Sequence, residues 1–169
     1  MELNEALLKR RSVRKYTSDP VSDEQIDQLL HAAMSGPSAM NKKPWKFYVI
    51  SNKEVKNELC EASPYTHHDA PIQILVCGDL SKALPGELKD YWIQDCSAAI
   101  ENILLRAVDL GLGTVWCGLH PNPVPVNNVR RILKLDDHLV PLGLIFVGHP
   151  LYEHESRDQY DENDVNYIK

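Results

Sequence analysis

The stretch from Glu87 to Leu110 constrains this chain more than any other. Ile93, Ala98, Ala99, Ile100, Ile103, Leu104, Ala107 and Val108 recur there at helical spacing. A helix of that span would run on the order of 35 Å, the full width of a small domain. Its apolar residues cover more than one face, so it belongs at the centre of the fold or in a subunit interface. Gly111 stops it, and Gly113 to Cys117 begins a strand. Trp45 to Ile50, Ile72 to Cys77 and Gly143 to Gly148 read as three more strands, the second more buried than the first. Ser22-Asp23-Glu24-Gln25 forms a capping box. The helix it opens carries Ile26, Leu29, Leu30 and Ala33 on one face and stops before Gly36-Pro37. Val126 to Leu135 reads as a short helix, and His149-Pro150 breaks the last strand. Strands separated by helices predict an α+β or α/β architecture, and residues 1–169 suit one domain.

Charge is distributed unevenly. Lys9-Arg10-Arg11-Ser12-Val13-Arg14-Lys15 holds five of the 18 Lys and Arg residues in a chain of net charge -6. Arg presents a planar fork that matches phosphate oxygens in pairs, and Ser adds a short donor. One basic knot in an acidic chain suits a small anion better than a nucleic acid, which selects a basic face. A plainer reading is a short helix within Met1 to Lys15 whose basic last turn complements the helix dipole. The acidic segment Glu153 to Lys169 cannot form a core alone. Either the tail is frayed or it lies extended on another surface, such as a partner subunit, anchored by Tyr152, Tyr160, Val165, Tyr167 and Ile168; the second is the expectation.

Several chemistries lack their signatures. No apolar run approaches the ~20 residues that span a bilayer. The charged N-terminus does not resemble a secretory signal. Cys60, Cys77, Cys96 and Cys117 form no CxxC pair, which favours free thiols in a reducing cytoplasm. His67-His68-Asp69 is the densest potential ligand group, yet no zinc-type spacing occurs, and no metal is expected. Gly111-Leu112-Gly113 lacks a third glycine at dinucleotide-binding spacing. Cys117 has no assignable base, and a buried inert thiol is the commoner case. Gly36-Pro37-Ser38-Ala39-Met40-Asn41 reads as a loop whose small residues permit close approach to a ligand.

In order along the chain, Arg10-Arg11-Ser12-Val13-Arg14, Gly36 to Asn41, Lys43-Pro44-Trp45, Asp69-Ala70-Pro71, Gln94 to Asn102, Gly111 to Trp116, Pro141-Leu142-Gly143 and Gly148-His149-Pro150 resemble the nitroreductase family of flavoproteins. The resemblance implies an α+β fold: a mixed, mainly antiparallel sheet flanked by helices, with a long central helix and an extended C-terminal tail. It implies an intertwined homodimer with one FMN per subunit at the interface. A hydride from NADPH or NADH would reduce the flavin, and a small-molecule acceptor such as a nitroaromatic or quinone would then take the electrons, in ping-pong fashion. The same fold also hosts reductive dehalogenation, flavin breakdown and non-catalytic FMN binding. By resemblance, Arg10 and Ser12 match the phosphate-holding positions and Arg14 the one near the pyrimidine edge of the ring. Arg11 belongs to the same basic cluster and is expected to turn toward an acid of the fold. Pro37, Ser38, Ala39 and Asn41 match a segment supplied by the second subunit. Trp116, Cys117 and Gly118 match the strand end beside the ring. Gln94 and Arg157 match less clearly, as pocket-lining and phosphate-binding positions. No general acid or base is evident in the matched positions, which fits flavin-mediated hydride transfer, and product protons can come from water.

Overall fold

A computed structural model describes residues 1–169. Its elements are α1 (Leu3–Lys9), α2 (Asp23–Met34), β1 (Trp45–Ile50), α3 (Lys53–Cys60), β2 (Ile72–Asp79), α4 (Tyr91–Asp109), β3 (Gly113–Gly118), α5 (Pro123–Leu133) and β4 (Leu139–Gly148). The four strands form one sheet in the order β1-β2-β4-β3, with every neighbouring pair antiparallel. An isolated parallel bridge joins Ser12 to Thr114 outside this ladder, on β3.

Alternation along the two central strands builds a core on each face of the sheet. Ile74, Val76, Ile145 and Val147 meet Cys96, Ile100 and Ile103 of α4 and Leu29 and Ala33 of α2. Leu75, Cys77, Leu144 and Phe146 meet Leu59 of α3 and Val129 of α5. Both central strands are therefore apolar at nearly every position. Helix α4 is the central rod the sequence requires, with eight buried residues: Trp92, Asp95, Cys96, Ala99, Ile100, Ile103, Leu104 and Ala107. It is shorter than its apolar pattern. Gly86 takes a left-handed backbone at φ +61, and Gly86–Leu88 forms a separate 3-10 turn before α4 starts at Tyr91.

Other boundaries follow local chemistry. The Ser22 capping box is present in full. Helix α5 starts earlier than its apolar residues indicate, at Pro123, because Asn122 caps it through Val124 N–H and proline is tolerated in the first turn. Strand β4 likewise starts at Leu139, running through Pro141 where the register against β2 shifts. Helix α3 has no counterpart in the sequence reading. Asn52 caps it, but a short, polar helix with one buried residue, Leu59, leaves little periodicity to detect.

The N-terminal basic segment differs from the helix-end reading. Helix α1 ends at Lys9, and Arg10 turns into extended backbone at φ -56, ψ 127. Val13 N–H then donates to Thr114 O at 2.8 Å, laying the segment along the outer edge of β3. The tail beyond β4 is exposed throughout from Leu151 to Lys169, and its regular structure is limited to a 3-10 turn at Glu162–Asp164. It crosses back over α1, where Arg157 N–H donates to Leu8 O at 2.8 Å.

Candidate functional site

Extended backbone sends successive side chains to opposite sides, and this sorts the basic knot. Arg10 and Ser12 face a groove of about 340 Å³ that they line with Glu101, Leu104, Thr114, Trp116 and Gly118. Arg14, two residues on, reaches a second cavity of about 490 Å³. Arg11 and Val13 turn to the other side. The Arg11 guanidinium donates from Nε and Nη2 to Glu155 O at 3.2 and 2.7 Å. It thus binds a backbone carbonyl of the tail rather than an acid of the fold, away from the groove of Arg10. Lys9 pairs with Glu5 one helical turn back, at 2.6 Å.

Arg10 keeps most of its donors available. Its one ionic contact is Nε to Glu101 Oε1 at 3.8 Å. Burial pushes the Glu101 carboxyl above the ordinary range, and the Arg10 charge offsets part of that shift. Arg14 makes a long contact of 3.4 Å to Ser12 O and no ion pair.

Trp116 and Gly118 line both cavities. They lie on β3, an edge strand of the sheet. Thr114 O accepts from Val13, outside the sheet. Peptide groups in an antiparallel ladder alternate in direction, so those of Trp116 and Gly118 also point away from β4, to the open edge. The Trp116 indole N–H is buried without a hydrogen-bond partner. Its position depends on Gly143, where an added Cβ would come within 2.2 Å of Nε1. Cys117 is buried and hydrogen-bonds Tyr65 O at 3.0 Å. Burial pushes its thiol up to about 11, against the smaller lowering by Arg14. That is an inert thiol, not a nucleophile.

The second cavity is completed by Pro64, Tyr65, His67, His68 and Val115. The first four come from the irregular connection between α3 and β2, and the sequence reading gave none of them a place in this site. Nothing in periodicity or motif marks a loop that reaches a strand edge across the sheet. Thr114, Leu104 and Glu101 went unassigned for a similar reason, since they look like ordinary strand and helix residues.

Pro37, Ser38, Ala39 and Asn41 line neither cavity within their own chain, and nor do Gln94 and Arg157. The loop is nevertheless sharply specified. Met40, Asn41 and Lys43 all take positive φ, at 49, 54 and 50 degrees, which is costly for residues with a Cβ. Besides its own backbone hydrogen bonds, two contacts to side-chain oxygens hold it. Ala39 N–H donates to Asp95 Oδ1 of α4 at 2.8 Å, and Lys43 N–H donates to Ser38 Oγ at 2.9 Å. Met40 stands 78% exposed at its tip. Gln94 is exposed on α4, and the Arg157 side chain is exposed on the tail.

The model of the nitroreductase family matches residues 7–66 and 60–149. A protein of Methanothermobacter thermautotrophicus, provisionally named NADH dehydrogenase/NAD(P)H nitroreductase, is 41% identical over 100% of this chain and 88% of its own length. The FMN reductase [NAD(P)H] of Bacillus subtilis is 30% identical, over 98% of this chain and 73% of its own. A provisionally named nitroreductase of Desulfovibrio desulfuricans, solved in complex with FMN, superposes with a TM-score of 0.83 at 31% identity. That match covers 99% of this chain and 96% of the other. With the basic segment, the strand edge and the strained loop in the order the motifs require, this chain belongs to the nitroreductase family.

Proposed function

We propose that the protein is an FMN-dependent oxidoreductase that takes a hydride from NAD(P)H and passes electrons to a small oxidised acceptor, such as a nitroaromatic or quinone, in two half-reactions at one site. The observation that carries this reading is the pair of cavities meeting at Trp116 and Gly118, one bearing Arg10 and Ser12 and the other bearing Arg14. FMN has a phosphate at one end and a flat ring at the other, and the donors are segregated in the same way. Arg10 offers several uncommitted N–H groups for the phosphate, and Ser12 adds a hydroxyl. The outward peptide N–H groups of Trp116 and Gly118 offer donors along the ring edge, and Arg14 adds a positive charge. The names of the relatives support the donor, and the Desulfovibrio complex supports the cofactor.

Bound FMN supplies the electron-carrying ring. The chain's own part is to position and polarise it. A fixed cation at Arg14 stabilises negative charge on the reduced ring more than the neutral oxidised ring, which raises the reduction potential.

Residues 1–169 act as one cofactor-binding unit, paired with a second copy in a homodimer. The loop Pro37 to Asn41 of each copy then covers the ring held by the other. Its exposure and strain, and its absence from the lining of both cavities of its own chain, support that arrangement. So do the exposed apolar residues Leu3, Leu7, Met34, Tyr160, Tyr167 and Ile168. The test is the visible spectrum of the purified protein without oxygen. Flavin bands should bleach on adding NADH or NADPH and return on adding a quinone. Colourless protein that cannot be reconstituted with FMN overturns the reading.

A further inference from the structure

His67 and His68 line the cavity that also holds Arg14, Trp116 and Gly118. Both continue into an adjoining cavity of about 530 Å³ lined by Lys53, Lys56, Asn57, Cys60, Asp69 and Gln73. The two imidazoles sit in different surroundings. His68 is partly buried and packs edge-on against Phe146, with ring centroids 5.1 Å apart. Burial first, then the nearby Arg14 and His67 charges, hold it below the ordinary histidine value, so it favours the neutral form. His67 is half exposed, and its Nδ1 lies 3.5 Å from Glu61 Oε1. The Glu61 carboxylate lies on the Nδ1 side of the ring, which leaves the Nε2 edge free toward the cavity.

Reduction of a quinone or nitro group needs protons as well as electrons. The Arg14 guanidinium serves in this cavity as a positive charge and hydrogen-bond donor. Cys117 is buried, with its thiol hydrogen-bonded to Tyr65 O. The other titratable or charged groups around His67 come from several elements. They are Glu61 at the end of α3, with Lys53, Lys56 and Cys60 on α3 itself, and Tyr65, His68 and Asp69 in its own loop. Among them, His67 combines exposure, a carboxylate partner and a place on the wall of the ring-edge cavity.

We propose that His67, oriented by Glu61, donates a proton to the acceptor in this cavity. The proposal rests on the oxidoreductase reading of the site. For a quinone, NAD(P)H supplies two electrons and one proton as a hydride equivalent. The His67 Nε2–H bond breaks and the second quinone O–H bond forms. The products are NAD(P)+ and the hydroquinone, and the imidazole regains a proton from water.

Ferricyanide separates electron transfer from proton transfer, because it takes one electron and no proton. In His67→Gln the ratio of quinone to ferricyanide turnover should fall about 10²-fold, within the usual range for a general acid. His67→Lys, which restores a donor, should recover part of the ratio. Glu61→Gln should lower it by a smaller factor. Adding hydroquinone should also shift the His67 ring signals in an NMR spectrum of the wild-type protein. An unchanged ratio, or an equal fall with both acceptors, overturns the assignment, and so does a His67 signal indifferent to hydroquinone. If His67→Gln loses FMN, Glu61→Gln and the NMR shift decide. Wild-type protein that binds no FMN and reduces neither acceptor sinks the oxidoreductase reading, which is a separable result.

Discussion

Arg10 and Gly143 carry the clearest consequences of single side chains. Arg10 is only loosely held by Glu101, at 3.8 Å, so a ligand phosphate competes with a weak partner. Arg10→Ala should weaken FMN binding by about 2–4 kcal/mol, the range for losing a charge-assisted contact to a phosphate. Fluorescence titration with FMN checks it, and unchanged affinity would remove Arg10 from the phosphate site. Gly143 pairs with Gly118 across β3 and β4, the Trp116 side chain lies over it, and an added Cβ has no room beside Nε1. Gly143→Ala should cost about 1–3 kcal/mol by overpacking. Displacement of Trp116 should accompany it, visible as altered tryptophan fluorescence with the lowered melting temperature. Arg10 and Arg11 are neighbours with the same charge, yet one faces the groove and the other the tail. Composition identifies the basic knot and the family resemblance divides it, while the extended backbone supplies the physical reason for the division.

Two connecting turns are over-determined beyond what their composition announces. The loop from Ser38 to Lys43 holds three side-chain-bearing residues at positive φ through Asp95 and Ser38 Oγ. The other turn closes β2. There Asp79 binds Ser81 through both the backbone N–H and the hydroxyl, and pairs with Lys82 at 3.1 Å. Burial by itself would raise the Asp79 carboxyl. The Ser81 and Lys82 contacts together outweigh it and hold the group below the usual aspartate value. A carboxyl depressed in the folded state contributes stability above its unfolded pKa and loses it as pH falls through the folded one. Asp79→Asn should therefore lower stability at neutral pH and flatten its acid dependence. Urea titrations across the acid range measure this, and parallel curves for both proteins would exclude the role.

At the scale of the whole molecule, the cavities and the loop expected to cover them lie apart within one chain. Ser38→Trp should therefore block the site of a neighbouring copy. In mixed dimers with wild-type protein, one FMN site should remain active. Loss of both sites, or of neither, contradicts the shared site. The sequence by itself determined the local layer of this molecule. The Ser22 cap, the apolar rod at α4 and the strand β1 at Trp45–Ile50 are all set by nearest neighbours and periodicity; the cap and β1 stand where those signals put them, and α4 does so apart from its later start at Tyr91. Motif order alone also brought out the family and the pairing of Arg10 with Ser12. Tertiary structure decided what local chemistry leaves open. Strand order placed β3 at an edge, so that its outward peptide groups face a groove instead of another strand. Helix α3 exists because Leu59 reaches a core built by distant strands. His67 and His68 joined the site because long-range packing folds an irregular loop against β3, and no pattern within the loop encodes that contact.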